Sequence, residues 1–142
     1  MRIARLVRKE EKRGERGQAV AEFALIVPIF LLLVFAIVDF GMGFHAWITV
    51  TNAAREGARL GAVGGTQTEV EDQVYDTSAS LDADQMTVLV TNAEGDPGEA
   101  VTVDVSYDYE LITPLSSIMG IVSGGSIGPT IGFTSSAEMR LE

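Results

Sequence analysis

The hydrophobic pattern of the chain is dominated by one unbroken apolar stretch, Phe23 to Val38, bounded by Glu22 and Asp39. At about 1.5 Å per residue a helix of that length reaches roughly 24 Å, against a bilayer hydrocarbon core of about 30 Å. The run therefore spans a membrane only if Ala19 to Ala21 before it and Phe40 to Phe44 after it also enter. That draws Glu22 into the membrane or to its edge. Pro28 would break a soluble helix, but membrane helices tolerate proline where neighbours satisfy the freed carbonyl, so a kink is expected there and not an end. Past Val38 the helical spacing continues through Phe44, Trp47, Ile48, Thr51, Ala54, Ala58 and Ala62, an amphipathic face. Trp47 and His45 fall just beyond the bilayer, where amphipathic rings settle. The first clear stop is Gly61 to Gly65, with Gly64-Gly65 as the breaker. The expectation is one helix from about Ala19 to Leu60.

The remainder changes period. Thr66 to Leu81 reads as a short helix with Thr66 or Thr68 at its N-cap and Glu69, Glu71 and Asp72 in its first turns, where the helix dipole favours acids. Met86 to Thr91 is strand-like, and Asn92 to Gly98 has turn composition. Val101, Val103, Val105, Tyr107 and Tyr109 alternate with polar residues, which predicts a strand with one wet face that Pro114 ends. Leu115 to Val122 fits either a helical turn or a hydrophobic loop. Ser123 to Pro129 has linker composition, and Thr130 to Leu141 reads as a last strand with Phe133, Ala137 and Met139 among its apolar positions. The fold class is α+β: a long transmembrane and amphipathic helix, then a small domain with about three antiparallel strands and a short helix. Three strands form a minimal sheet that needs a helix or a partner over one face.

Charge gives the pattern a direction. Met1 to Gly17 carries seven basic residues against three acids, a net +4. From Gln18 onward the basic residues are Arg55, Arg59 and Arg140 against seventeen acids, a net −14. A basic stretch before an apolar run fits the positive-inside rule, so residues 1–17 are expected as a cytoplasmic leader. Residues 18–61 form the extended helix and residues 62–142 a small acidic exported domain. The protein is thus expected in the cell membrane as a single-pass chain. An acidic surface also argues against nucleic acid as a partner, because phosphate binding needs basic residues. The chain has no cysteine, which excludes disulfides, cysteine nucleophiles and thiolate metal sites.

Two short motifs carry candidate chemistry. In the first, a basic leader is followed by Gly17 and then by a helix with a carboxylate, Glu22, at the fifth position after the glycine. That is the arrangement of type IV prepilins. Cleavage after Gly17 would leave Gln18 as the new N-terminus, its amine about one turn from the Glu22 carboxylate of its own or a neighbouring chain. A carboxylate in low dielectric is costly unless paired, so such a pair would set register between subunits. The plainer reading is a boundary glutamate that reaches to the headgroups. Secretory cleavage at Gly41-Met-Gly43 is a further alternative, disfavoured by the length of the run and the helical pattern through that site.

The second motif is Asn52 to Arg59. Ala53, Gly57 and Gly61, and Ala54 with Ala58, place small residues four apart, which permits close helix approach. Arg55 and Arg59 share another face and suit docking to carbonyls or acids of the domain or of a partner. Against this stands simple solvation, with Glu56 pairing Arg59 at a gain of only a few tenths of a kcal/mol. Asp82 and Asp84, and Asn92 to Asp96, lack the spacing of a calcium loop, and His45 is the only histidine, so no metal or other cofactor is expected. No serine sits in a nucleophile elbow, and the chain reads as non-enzymatic. A membrane-tethered enzyme would require Asp82, Asp84, Asp104 and Asp108 to converge in a pocket.

Arg16 to Pro28, then Asp39-Phe40-Gly41, then Thr51 to Arg59 closely resemble the TadE-like family, the pseudopilin-type proteins of tight-adherence (Flp) pilus systems. The resemblance covers Arg16 to about Ala62, and beyond it only the β-rich character and the closing Ala137 to Glu142. Asp39 stands where many members of that family carry glutamate, a mild departure from the resemblance. The resemblance implies a membrane-inserted precursor, cleavage by a prepilin peptidase, and a role in assembling adhesive pili. Implied partners are the membrane, that peptidase, and other pilin or pseudopilin subunits or the Tad secretion machinery, in a homo- or hetero-oligomer. The competing function is an uncleaved single-pass anchor whose exported domain binds a secretion or envelope component.

Overall fold

The computed structural model describes residues 3–125 and 128–142, with side chains from Gly17 onward, Val122 apart. The charged side chains of the leader, and Ser126-Ile127 of the linker-like stretch, lie outside the described residues. The elements in order are α1 (Ile3–Ala62), α2 (Gln67–Thr77), a 3-10 turn (Ala83–Gln85), β1 (Met86–Thr91), β2 (Ala100–Glu110), α3 (Leu115–Val122) and β3 (Thr130–Arg140). This is the expected α+β fold. The chain separates into two compact units, Met1–Ile37 and Val38–Glu142.

The first unit is helix. Helical backbone begins at Ile3, well before the expected Ala19, and runs through Pro28. Its apolar side chains point outward: Phe23 is 68%, Leu25 70% and Phe30 60% exposed. Among the described residues, Gly17–Ala62 is the one helical stretch long and apolar enough to cross a membrane, and only 6% of its most apolar window is buried within the protein. An apolar helix segment with so little cover from its own chain has the length and composition of a membrane span.

In the second unit the last six turns of α1 lie against a three-stranded antiparallel sheet ordered β1-β2-β3. The central strand β2 buries Val101, Val103, Val105, Tyr107 and Tyr109 and turns Thr102, Asp104, Ser106, Asp108 and Glu110 outward, the alternation read from sequence. Its register places Val103 opposite Val90 and Ala137, and Tyr107 opposite Met86 and Phe133. Contacts along β2 run against the direction of α1. Gly61 meets Val101, Gly57 meets Val103, and Gly43 meets Tyr109. Eighteen helical residues and eight strand residues both measure about 27 Å, so helix and strand stay matched over the whole contact.

The helix face that does this keeps the small residues of the expected one and leaves out its large ones. Gly43, Ala46, Val50, Ala53, Ala54, Gly57, Ala58 and Gly61 are buried, whereas Phe44, Trp47 and Ile48 are 49%, 44% and 43% exposed. The sheet supplies the bulk and the helix supplies the hollows. Aromatic rings do not fit between backbones this close, and small residues do. Phe40, Phe44 and Trp47 instead form an outer ladder, with ring centroids 6.2 and 5.4 Å apart.

The turn after α1 is a Schellman motif: Gly65 N–H donates to Leu60 O (3.1 Å), Gly64 N–H donates to Gly61 O (3.0 Å), and Gly64 has φ +89°. Only glycine takes that conformation without strain. Thr66 then caps α2 in a full capping box, accepting from Glu69 N while the Glu69 carboxylate accepts from Thr66 N at 2.9 Å. These bonds to the backbone and hydroxyl of Thr66 hold the Glu69 carboxyl below its ordinary pKa, with burial opposing slightly. Val70 and Val74 of α2 are fully buried beneath Gly57.

Candidate functional site

The residues singled out from sequence fall in two places. In the first unit Gly17, Gln18 and Glu22 are all exposed. A Cβ added to Gly17 would meet nothing within 4 Å. Glu22 has no hydrogen bond or ion pair among the described residues and is flanked by exposed apolar side chains from Val20 to Phe30. Among the described residues that carboxylate has no partner.

In the second unit the Asn52 to Arg59 motif splits by face. Gly57 is pressed into the core so tightly that an added Cβ would lie 2.6 Å from Val74 Cγ2 and 3.4 Å from Val103 Cγ1. The close approach its spacing permits is taken up by α2 and the sheet of the same chain. Asn52, Arg55 and Arg59 are exposed and Glu56 half-exposed. Arg59 donates twice to Glu56, at 3.0 and 2.9 Å, in a solvated pair. Among the described residues Arg55 has no ion pair or hydrogen bond, and Arg59 bonds to Glu56 of its own helix.

The residue that sequence reasoning underrated is Asp39. It appears there as the boundary of the apolar run, and here it is buried, 3% exposed. Its carboxylate accepts from Ile112 N at 3.0 Å, from Thr113 N at 3.3 Å and from the Thr113 hydroxyl. These donors belong to the loop that follows β2, seventy-three and seventy-four positions away in sequence. A buried carboxylate is tolerable only with such bonds, and each charge-assisted bond contributes about 1.5–3 kcal/mol. Asp39 thus clasps the β2–α3 loop to the helix at the first residue after the apolar run. The sequence signal was present: an acid closing an apolar helix without a partner at helical spacing has to find one elsewhere. Beside it the Tyr109 hydroxyl is buried and reaches no hydrogen-bond partner of acceptable geometry. Burial first, and the Asp39 charge second, push its phenol above the ordinary tyrosine value.

A groove of about 250 Å³ opens nearby, lined among others by His45, Ser80, Asp82, Asp108 and Glu110. Asp84 and Asp104 do not line it, so the four acids that a tethered enzyme would need do not converge. In the β1–β2 loop Asn92, in the left-handed region at φ 62°, donates to Glu99 Oε2 and to Ala100 O, both at 3.1 Å. Its oxygen-rich composition serves the turn. Among the described residues no three His, Asp or Glu side chains are placed to hold a metal ion.

No curated protein and no solved structure matches the chain. A family model does match, the one described as TadE-like protein, over residues 17–59. The match begins at Gly17, takes in Glu22, Asp39 and Gly57, and ends at Arg59. The matched segment is the one that carries the motifs resembling that family.

Proposed function

We propose that this chain is a non-catalytic, pilin-like membrane protein that acts in the assembly of Flp (tight-adherence) pili, and that it is processed after Gly17 by a prepilin peptidase. The observation that carries the reading is the position of the family match. It begins at the glycine of the processing motif and continues through the apolar run into the helix that seats the folded domain. The charge asymmetry supports a cytoplasmic leader and an exported domain. Glu22, exposed among apolar side chains and unpaired within the described chain, then acts by pairing with the freed amine of Gln18 on a neighbouring subunit. That pairing would fix register as pilin or pseudopilin subunits pack.

Replacing Glu22 with leucine tests this. The variant is expected to insert in the membrane in normal amount while surface pili are lost. Unaltered pili on cells carrying only Glu22→Leu would remove the carboxylate from the mechanism.

A further inference from the structure

Besides the outer ladder of α1, the second unit carries an apolar surface around α3 that the described residues leave partly uncovered. In α3 (Leu115–Val122) Leu115, Ile118 and Met119 are half-buried and Ile121 is 82% exposed. Ile112, at the start of the preceding loop, is 62% exposed. The segment is also free of charge. No Asp, Glu, Lys, Arg or His occurs between Glu110 and Glu138, in a chain that carries seventeen acids after Gln18. A charge-free helix that seats one side half-way on the protein and leaves Ile121 outward, next to an exposed Ile112, is costly in water, and apolar patches of this kind mark contact with something else.

The clasp at Asp39 indicates what that is. A bilayer core takes up about 20 helical residues, and the run Phe23 to Val38 supplies sixteen. If the core begins anywhere from Ala19 to Phe23, it ends between Val38 and about Met42. Asp39 lies at that level, and Ile112 N and Thr113 N are hydrogen-bonded to it at 3.0 and 3.3 Å. The chain therefore enters α3 from the edge of the hydrocarbon layer. Backbone at that depth needs its amides satisfied, and the Asp39 carboxylate satisfies two of them. On the same stretch of α1, Phe40 is 75% exposed, and it stacks with Phe44, which packs on Trp47, as aromatic side chains do at a membrane boundary.

We propose that α3, together with Ile112, is embedded in the lipid interface and gives the chain a second membrane contact beside its span. The contact is apolar in kind. The acidic composition around it offers no attraction to anionic headgroups, so the embedding is expected to be indifferent to anionic lipid. The proposal rests on the run Phe23 to Val38 being the span.

The absence of native cysteine makes the test clean. The full chain would be prepared with single cysteines in place of Ile121, Leu89 or Phe30, each labelled with an environment-sensitive fluorophore and reconstituted in phosphatidylcholine vesicles. Leu89 lies on the outer strand β1 and is 59% exposed, a site for water access. The label at position 121 is expected to be quenched by a shallow lipid-borne nitroxide and to be shielded several-fold from aqueous iodide relative to position 89. That shielding should persist when the protein is diluted with excess lipid or when phosphatidylglycerol is added. A label at position 121 as open to iodide as the one at 89 overturns the proposal. Shielding that disappears on dilution overturns it too, and assigns the surface to a second copy of the chain. The label at position 30 separates the two readings: if it is open to iodide, the span itself has failed.

Discussion

Two stretches of the same helix, Phe23 to Val38 and Gly43 to Gly61, are both rich in apolar residues and bury them in opposite senses. In the first, the large side chains face outward and almost nothing of the chain covers them. In the second, the small residues face inward at essentially zero exposure, and the large ones, Phe44, Trp47 and Ile48, face out. Apolar character alone does not say which surroundings a helix face meets. Side-chain size does: a face that meets lipid has no reason to be small, whereas a face that receives a strand at close range has to be. Asp39 stands where one regime gives way to the other.

The comparison is broken most strongly at Asp39. Asp39→Ala strands two amides and a hydroxyl in a buried site, and the loss expected is on the order of 3 kcal/mol or more, since each orphaned group costs about 1–3. Chemical unfolding of the detergent-solubilised protein, followed by circular dichroism, would measure it. Asp39→Asn keeps an acceptor and should lose less. Gly57→Val comes next. Its Cβ alone would sit 2.6 Å from a fully buried valine, and overpacking of that kind costs about 1–3 kcal/mol. The matched control is Gly41→Ala on the same helix, where the added methyl meets nothing within 4 Å and the gain in helix propensity, up to about 1 kcal/mol, should appear unopposed. Equal effects at Gly57 and Gly41 would show that the packing of α1 against α2 and the sheet has been misread.

Smaller still is the cap of α2. Thr66→Ala removes the acceptor for Glu69 N and should cost about 1 kcal/mol. Because the folded state holds the Glu69 carboxyl below its ordinary value near 4.5, its contribution is present above that value and fades as the pH falls through the lowered one. Acid titration of stability should therefore be shallower in Glu69→Gln than in the parent chain.

Much of the fold was legible because its signals are local. The Met86 to Thr91 strand, the alternation from Val101 to Tyr109, the Thr66 cap with its Glu69 and the Gly64-Gly65 stop all stand where the pattern put them. Leu115 to Val122, open between turn and loop, is a helix. The inward face of α1 was not legible in the same way. Periodicity favours the most hydrophobic stripe, and here the buried stripe is the smallest one, chosen by strands that come forty residues later. Asp39 was hidden for the same reason, since its partners Ile112 and Thr113 are distant in sequence. The Gly17 to Glu22 motif is read from a short string of residues and not from packing, and Gly17, Gln18 and Glu22 are all exposed.

The most direct test of the account is the intact mass of the protein purified from membranes, with and without a prepilin peptidase in the same cells. The account predicts a loss matching residues 1–17 when the peptidase is present, with Gln18 at the new N-terminus and no loss in its absence. A chain that still begins at Met1 in the presence of an active peptidase would contradict processing and leave an uncleaved anchor in its place.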